Sequence, residues 1–164
     1  MELLQFDDVL SSRDFHEQAQ YLQNANWKYS GQSDTNQIKF WFHDLIENDF
    51  YTKDFFSIIQ QKLDFEVTLH RVYANGQTYG QPGYMHQDSE HANQLTFIFF
   101  ANHVWMPEWG GQTIIKDEGH YASIMPVPNS GILFPGKLMH VGSEPTRHCP
   151  ELRVTVAFKL YRKM

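Results

Sequence analysis

Apolar and polar positions along this chain follow two different periods. In the first third the spacing is helical. After Ser11-Ser12, a pair suited to capping, Phe15, Ala19, Tyr21 and Leu22 fall at helical intervals until the Asn24-Ala25-Asn26 break. A second helix is predicted over Thr52 to Leu63, with Phe55, Phe56, Ile59 and Leu63 forming a stripe suited to packing on a sheet. Trp27-Lys28-Tyr29, between the two, is a short strand candidate.

From residue 65 onward the period becomes two. Phe65 to Tyr73 alternates apolar with polar side chains, as a half-buried strand does. Leu95 to Phe100 is almost continuously apolar and reads as a central strand. Further strands are predicted over Gln112 to Ile115, Ala122 to Val127, Gly131 to Phe134 and Arg153 to Leu160, with Gly80, Pro82, Gly83 and Gly110-Gly111 as punctuation. About seven short strands behind a helical start predict an α+β, mainly β fold: a β-sandwich or jelly roll backed by helices. One domain over 1–164 is expected, with 1–63 supplying helices packed on one sheet and 65–160 the β core.

Composition narrows the classes. Hydrophobic residues at 41% and charged residues at 20% suit a globular chain with a core, and 15% aromatics suit a β-rich one. The formal charge is −6 and no Lys/Arg run exceeds two residues, so no nucleic-acid partner is expected. Leu95 to Ala101 is too short to span a bilayer, and MELLQFDDVL lacks the basic and apolar regions of a signal peptide. Cys149 is the single cysteine, which rules out an internal disulfide and points to a reducing, cytoplasmic setting; in its Pro-containing loop it reads as inert.

The chemistry concentrates in YMHQDSEH, residues 84–91. On an extended backbone His86 and Asp88 share one face and can reach one ion. A third ligand is supplied most economically by His140, which follows the strand-like Ile132 to Phe134 and the turn Pro135-Gly136. Two histidines and one carboxylate leave part of an octahedral sphere open, the pattern of non-haem Fe(II) oxygenases. Arg153 opens the last strand with Thr155 on its own face, an arrangement suited to a buried carboxylate partner. Arg147, in the polar loop Ser143 to Pro150, is the rival.

With His86-Gln-Asp88, a distal His140 and Arg153 in that order, the sequence resembles the 2-oxoglutarate- and Fe(II)-dependent dioxygenases, in particular their prolyl 4-hydroxylase-like branch. Tyr73-Ala-Asn-Gly, Leu95-Thr-Phe-Ile-Phe-Phe-Ala-Asn102, the turn Trp109-Gly-Gly-Gln-Thr113 and Gly131-Ile-Leu-Phe-Pro-Gly136 extend the resemblance over residues 65–160. It implies a double-stranded β-helix (a cupin-like jelly roll) with Fe(II) on His86, Asp88 and His140. It further implies 2-oxoglutarate and O2 as cosubstrates, the far carboxylate of the former on Arg153 with Thr155 beside it. The reaction implied is hydroxylation of an unactivated C–H, releasing succinate and CO2. Relatives that place a Tyr after the metal motif to help hold the far carboxylate differ here, where Phe99-Phe100 stand; Tyr73 or Thr96 is expected to substitute.

For the substrate, a peptidyl proline is the first expectation. The loop Asn75 to Tyr84 offers Tyr79 and Tyr84 as contacts, and Trp109 beside the Gly-Gly turn is a third candidate. The same chemistry on a free amino acid or other small metabolite is the alternative. A non-catalytic cupin-type metal- or ligand-binding module is the reading from another class, although such a module needs no Arg on its terminal strand.

Overall fold

A computed structural model describes residues 3–33 and 38–163. Its elements run β1 (Leu4–Phe6), α1 (Ser12–Gln23), β2 (Lys28–Gly31), β3 (Phe40–Asp44), a π-wound turn over Phe50–Phe55 that continues as α2 (Phe56–Gln61), β4 (Val67–Gln77) and β5 (Gln94–Phe100). After a short 3-10 turn at Pro107–Trp109 come β6 (Thr113–Asp117), β7 (His120–Ile124), β8 (Gly131–Pro135), β9 (Met139–Gly142) and β10 (Arg153–Arg162). A seven-stranded sheet in the order β1-β8-β5-β10-β4-β3-β2 faces a three-stranded sheet, β7-β6-β9. This is the expected jelly-roll core backed by helices.

Alternation along the strands divides the large sheet into two faces with different tasks. On β10, Val154, Val156, Phe158 and Leu160 enter the core beneath the helices, together with Val72 and Ala74 of β4 and Phe97 and Phe99 of β5. The intervening residues, Arg153, Thr155, Ala157 and Lys159 of β10 with Tyr73, Asn75 and Gln77 of β4, turn the other way and line a cavity between the sheets. Beyond the cavity a second core of Phe100, Ile115, Ile132 and Phe134 closes the sandwich. The helical segment anchors the first core through Phe55, whose ring meets Phe99 and Phe158 edge-on, each at 4.9 Å. A fully buried Phe contributes roughly 1.5–3 kcal/mol, so this aromatic contact is a main tie between helix and sheet.

Helix α1 starts where the capping pair places it, with Ser11 Oγ accepting from the Asp14 amide. Elsewhere the sequence reading is corrected. The second helical segment begins at Phe50 rather than Thr52, which also buries Tyr51. The strand expected over Ala122 to Val127 lies at His120–Ile124, because Glu118 and Gly119 both take positive φ (45° and 87°) and form a two-residue hairpin turn. That turn sets Asp117 opposite His120. No strand is predicted at β1, β3 or β9; none of the three alternates buried with exposed positions, so no period registers.

Candidate active site

The metal-ligand candidates come from two stretches that meet at the β9 edge of the small sheet. His86 and His140 form an antiparallel bridge, each amide bonding the other's carbonyl at 3.0 and 2.8 Å. Asp88 does not continue this as a strand, contrary to the sequence expectation. The chain bends there, and the Asp88 amide is held by the Gly136 carbonyl at 2.8 Å. The bend has the same effect that a shared strand face would have had. His86, Asp88 and His140 each offer a ligand atom, all within 4.8 Å of one another.

Both rings are oriented from behind. His86 Nδ1 donates to the Tyr84 carbonyl at 2.7 Å, and His140 Nδ1 to the Leu138 carbonyl at 2.9 Å. A carbonyl can only accept, so each Nδ1 carries a proton and each Nε2 is turned to the site, 3.6 and 3.3 Å from Asp88 oxygens. Asp88 Oδ2 also accepts from Thr96 Oγ1 at 2.6 Å and from the Lys159 ammonium. Burial alone would raise the Asp88 carboxyl, but His140, His86 and the charge of Lys159 outweigh it and hold it far below the carboxylate range. Burial likewise works against charge on His86, yet Asp88 and the Tyr84 carbonyl raise it. Lys159 is the partner that sequence reading missed. A second cation on the Arg153 face of an otherwise apolar strand is the available signal.

At the other end of the cavity lies Arg153, 1% exposed and the largest fully buried side chain. Its three hydrogen bonds all go to neutral acceptors: Nε to the Gly111 carbonyl at 2.6 Å, Nη1 to Gln77 Oε1 at 2.9 Å and Nη2 to Thr113 Oγ1 at 3.1 Å. The Gly-Gly-Gln-Thr turn therefore holds the guanidinium from both of its ends. Gly111 has φ +71°, and a Cβ there would stand 3.0 Å from both Arg153 Cδ and Trp105 Cζ2. Among the described residues no carboxylate pairs with Arg153. Burial without a compensating anion pulls its pKa down to about 10, which still leaves it charged at neutral pH.

The remaining sequence candidates separate. Thr155 and Tyr73 line the cavity with Arg153, whereas Thr96 is engaged with Asp88. Arg147 is exposed and stacks on Tyr79, its centre 5.1 Å from the ring. Tyr79 and Tyr84 are 54% and 58% exposed on the segment leading into His86. Trp109 packs edge-on against Trp105 with ring centres 5.5 Å apart.

No protein-family model matches the sequence, and no curated protein matches it significantly. Solved structures do match. A prolyl 4-hydroxylase from Pseudomonas putida aligns over 99% of this chain and 93% of its own, with a TM-score of 0.65 and 16% identity. A Trichoplax adhaerens prolyl hydroxylase, solved with a peptide fragment of the hypoxia inducible factor oxygen degradation domain, covers 98% and 82% with a TM-score of 0.66 and 16% identity. The fold is that of the 2-oxoglutarate- and Fe(II)-dependent oxygenases. HygX from Streptomyces hygroscopicus, solved with nickel, 2-oxoglutarate and hygromycin B, aligns over 97% and 82% with a TM-score of 0.69 and 11% identity. Proteins of this oxygenase fold thus include some solved with a peptide and some with a small molecule. Among the described residues no helix of this chain is long and apolar enough to cross a membrane.

Proposed function

We propose that this chain is a 2-oxoglutarate- and O2-dependent hydroxylase of the prolyl 4-hydroxylase-like type. One observation carries the reading: a fully buried guanidinium whose partners among the described residues are all neutral shares a cavity with two convergent imidazoles. An uncompensated buried cation is costly unless an anion completes it, and a bidentate carboxylate is the anion that matches a guanidinium fork. A dicarboxylate with one end on Arg153 and its keto acid end toward the three ligands satisfies both halves of the cavity.

The donor set fits the metal. Two nitrogen ligands fixed in tautomer from behind and one ionised oxygen suit non-haem Fe(II) and leave room for a chelating cosubstrate. His86, Asp88 and His140 would hold Fe(II); Arg153, with Thr155 and Tyr73 beside it, would hold 2-oxoglutarate. When bound, the iron and keto acid supply O2 activation and the oxidising power for C–H hydroxylation, with succinate and CO2 as co-products. The protein's own residues do the rest. Thr96 and Lys159 restrain one Asp88 oxygen, the Tyr84 and Leu138 carbonyls orient the rings, and the two apolar cores flank the cavity.

A peptidyl proline is the first substrate to test. Supporting it are the fold shared with prolyl hydroxylases and the exposed Tyr79 and Tyr84 beside the metal motif. Anaerobic Fe(II) with 2-oxoglutarate should give the visible charge-transfer band of a chelated keto acid. Succinate release should then be scored across proline-containing peptides, free amino acids and small acids. A protein that forms no band loses the oxygenase reading; one that forms the band but turns over only small molecules loses the peptidyl-proline assignment.

A further inference from the structure

A groove beside the metal-ligand cluster is lined by His86 and, from the large sheet, by Tyr73, Phe42 and Arg71. Among the described residues lining this groove, Arg71 is the one Lys, Arg, Asp or Glu, in a protein whose net charge is −6. Its guanidinium lies 4.7 Å from the ring centre of Tyr73 and 5.7 Å from that of Phe42. These aromatic contacts fix the position of the cation without neutralising it. Among the described residues no carboxylate pairs with Arg71.

Register adds a second, independent observation. Arg71 stands directly opposite Lys159 in the β4–β10 ladder, so two like charges face each other across one strand pair, which is unfavourable. The Lys159 charge is met by Asp88, and Arg71 has no equivalent among the described residues. An anion in the groove would relieve the repulsion and complete the fork of the guanidinium.

Resting on the oxygenase reading above, we propose that Arg71 is a specificity-determining residue and that the substrate carries a carboxylate. Seated on Arg71, that carboxylate holds the substrate in the groove with its reacting C–H directed toward His86. This is separate from the 2-oxoglutarate carboxylate, which belongs to Arg153 deeper in the cavity. The carboxylate can come from a free small acid or from an acidic residue of a peptide.

Matched pairs that differ only in that group distinguish the sources: L-proline against L-prolinamide, and a blocked Glu-Pro-Gly peptide against its Gln-Pro-Gly counterpart. Binding to the Fe(II)- and 2-oxoglutarate-loaded protein under anaerobic conditions is read by calorimetry, with the charge-transfer band recorded in the same samples. The acid of at least one pair should bind about tenfold or more tighter than its neutral partner, as a charged hydrogen-bonded contact requires. Arg71→Gln should abolish the preference, Arg71→Lys should restore part of it, and both variants should keep the band and the affinity for 2-oxoglutarate. A formed band with no preference in either pair, with no probe bound, or with a preference surviving in Arg71→Gln overturns the proposal alone. Absence of the band in wild-type protein overturns the oxygenase reading, and the proposal falls with it.

Discussion

The hydroxyl of Thr96, on the interior strand β5, stands 2.6 Å from Oδ2 of Asp88, on the bend after the histidine bridge. A strand residue of the large sheet thereby steadies a ligand candidate that regular structure does not hold. Partners of this kind behind a metal ligand are typically worth about 10–100-fold in metal affinity. Thr96→Val keeps the shape and removes the donor, so its affinity should fall by about that range, while Thr96→Ser should stay close to wild type. Competition with a chromophoric chelator for Co(II) or Fe(II) reads the difference directly.

Arg153 and Arg147 should separate cleanly. Arg153→Met removes the buried fork and should weaken 2-oxoglutarate binding by more than about 100-fold, the scale of a lost charged, bidentate contact. Arg147→Ala, at an exposed side chain resting on Tyr79, should leave that binding unchanged. Thermal unfolding gives an independent readout. With metal present, 2-oxoglutarate at about 100-fold over its Kd should add about 2.7 kcal/mol of stability to wild-type and Arg147→Ala protein. Arg153→Met should show little of that gain. A normal shift in Arg153→Met would move the anion site elsewhere.

Gly111 tests the turn that holds the guanidinium. Its φ of +71° disfavours any side chain, and a new Cβ would meet Arg153 Cδ and Trp105 at 3.0 Å. Gly111→Ala should cost about 1–3 kcal/mol in denaturant unfolding, the scale of a left-handed non-glycine residue. Because Arg153 must also shift, 2-oxoglutarate affinity should fall in the same variant. Gly119→Ala, also at positive φ but with open space around its Cβ position, should cost stability without touching that affinity.

Cys149 should be a slow thiol. Burial raises its pKa above the ordinary value, outweighing the contact with the Glu151 carbonyl. A raised pKa means less thiolate at any given pH below it. Alkylation by iodoacetamide should therefore lag behind that of free cysteine at pH 8, and the gap should close as the pH rises through the shifted value. Fast labelling at pH 7 would contradict this, and Cys149→Ser should retain 2-oxoglutarate binding.

Much of the candidate site's arrangement was legible because a period of two dictates which side chains share a face. Alternation alone put Arg153 and Thr155 on one side of the last strand and Val154 and Val156 on the other, and the two cores divide along that line. Residue chemistry did the same for His86, Asp88 and His140, since few donor sets suit one ion. The turn at Gly110-Gly111 was recognisable, but its grip on a buried guanidinium was not.

What the sequence by itself determined is therefore local: helix spacing, strand faces and the donor types available to a metal. Only the tertiary structure decided which arginine is buried, that Lys159 meets Asp88, and that Arg71 faces Lys159 across a ladder. The physical reason is that the state of a charge depends on burial and on its partners. Here those partners come from strands far apart in the chain, joined by pairing that no local pattern specifies.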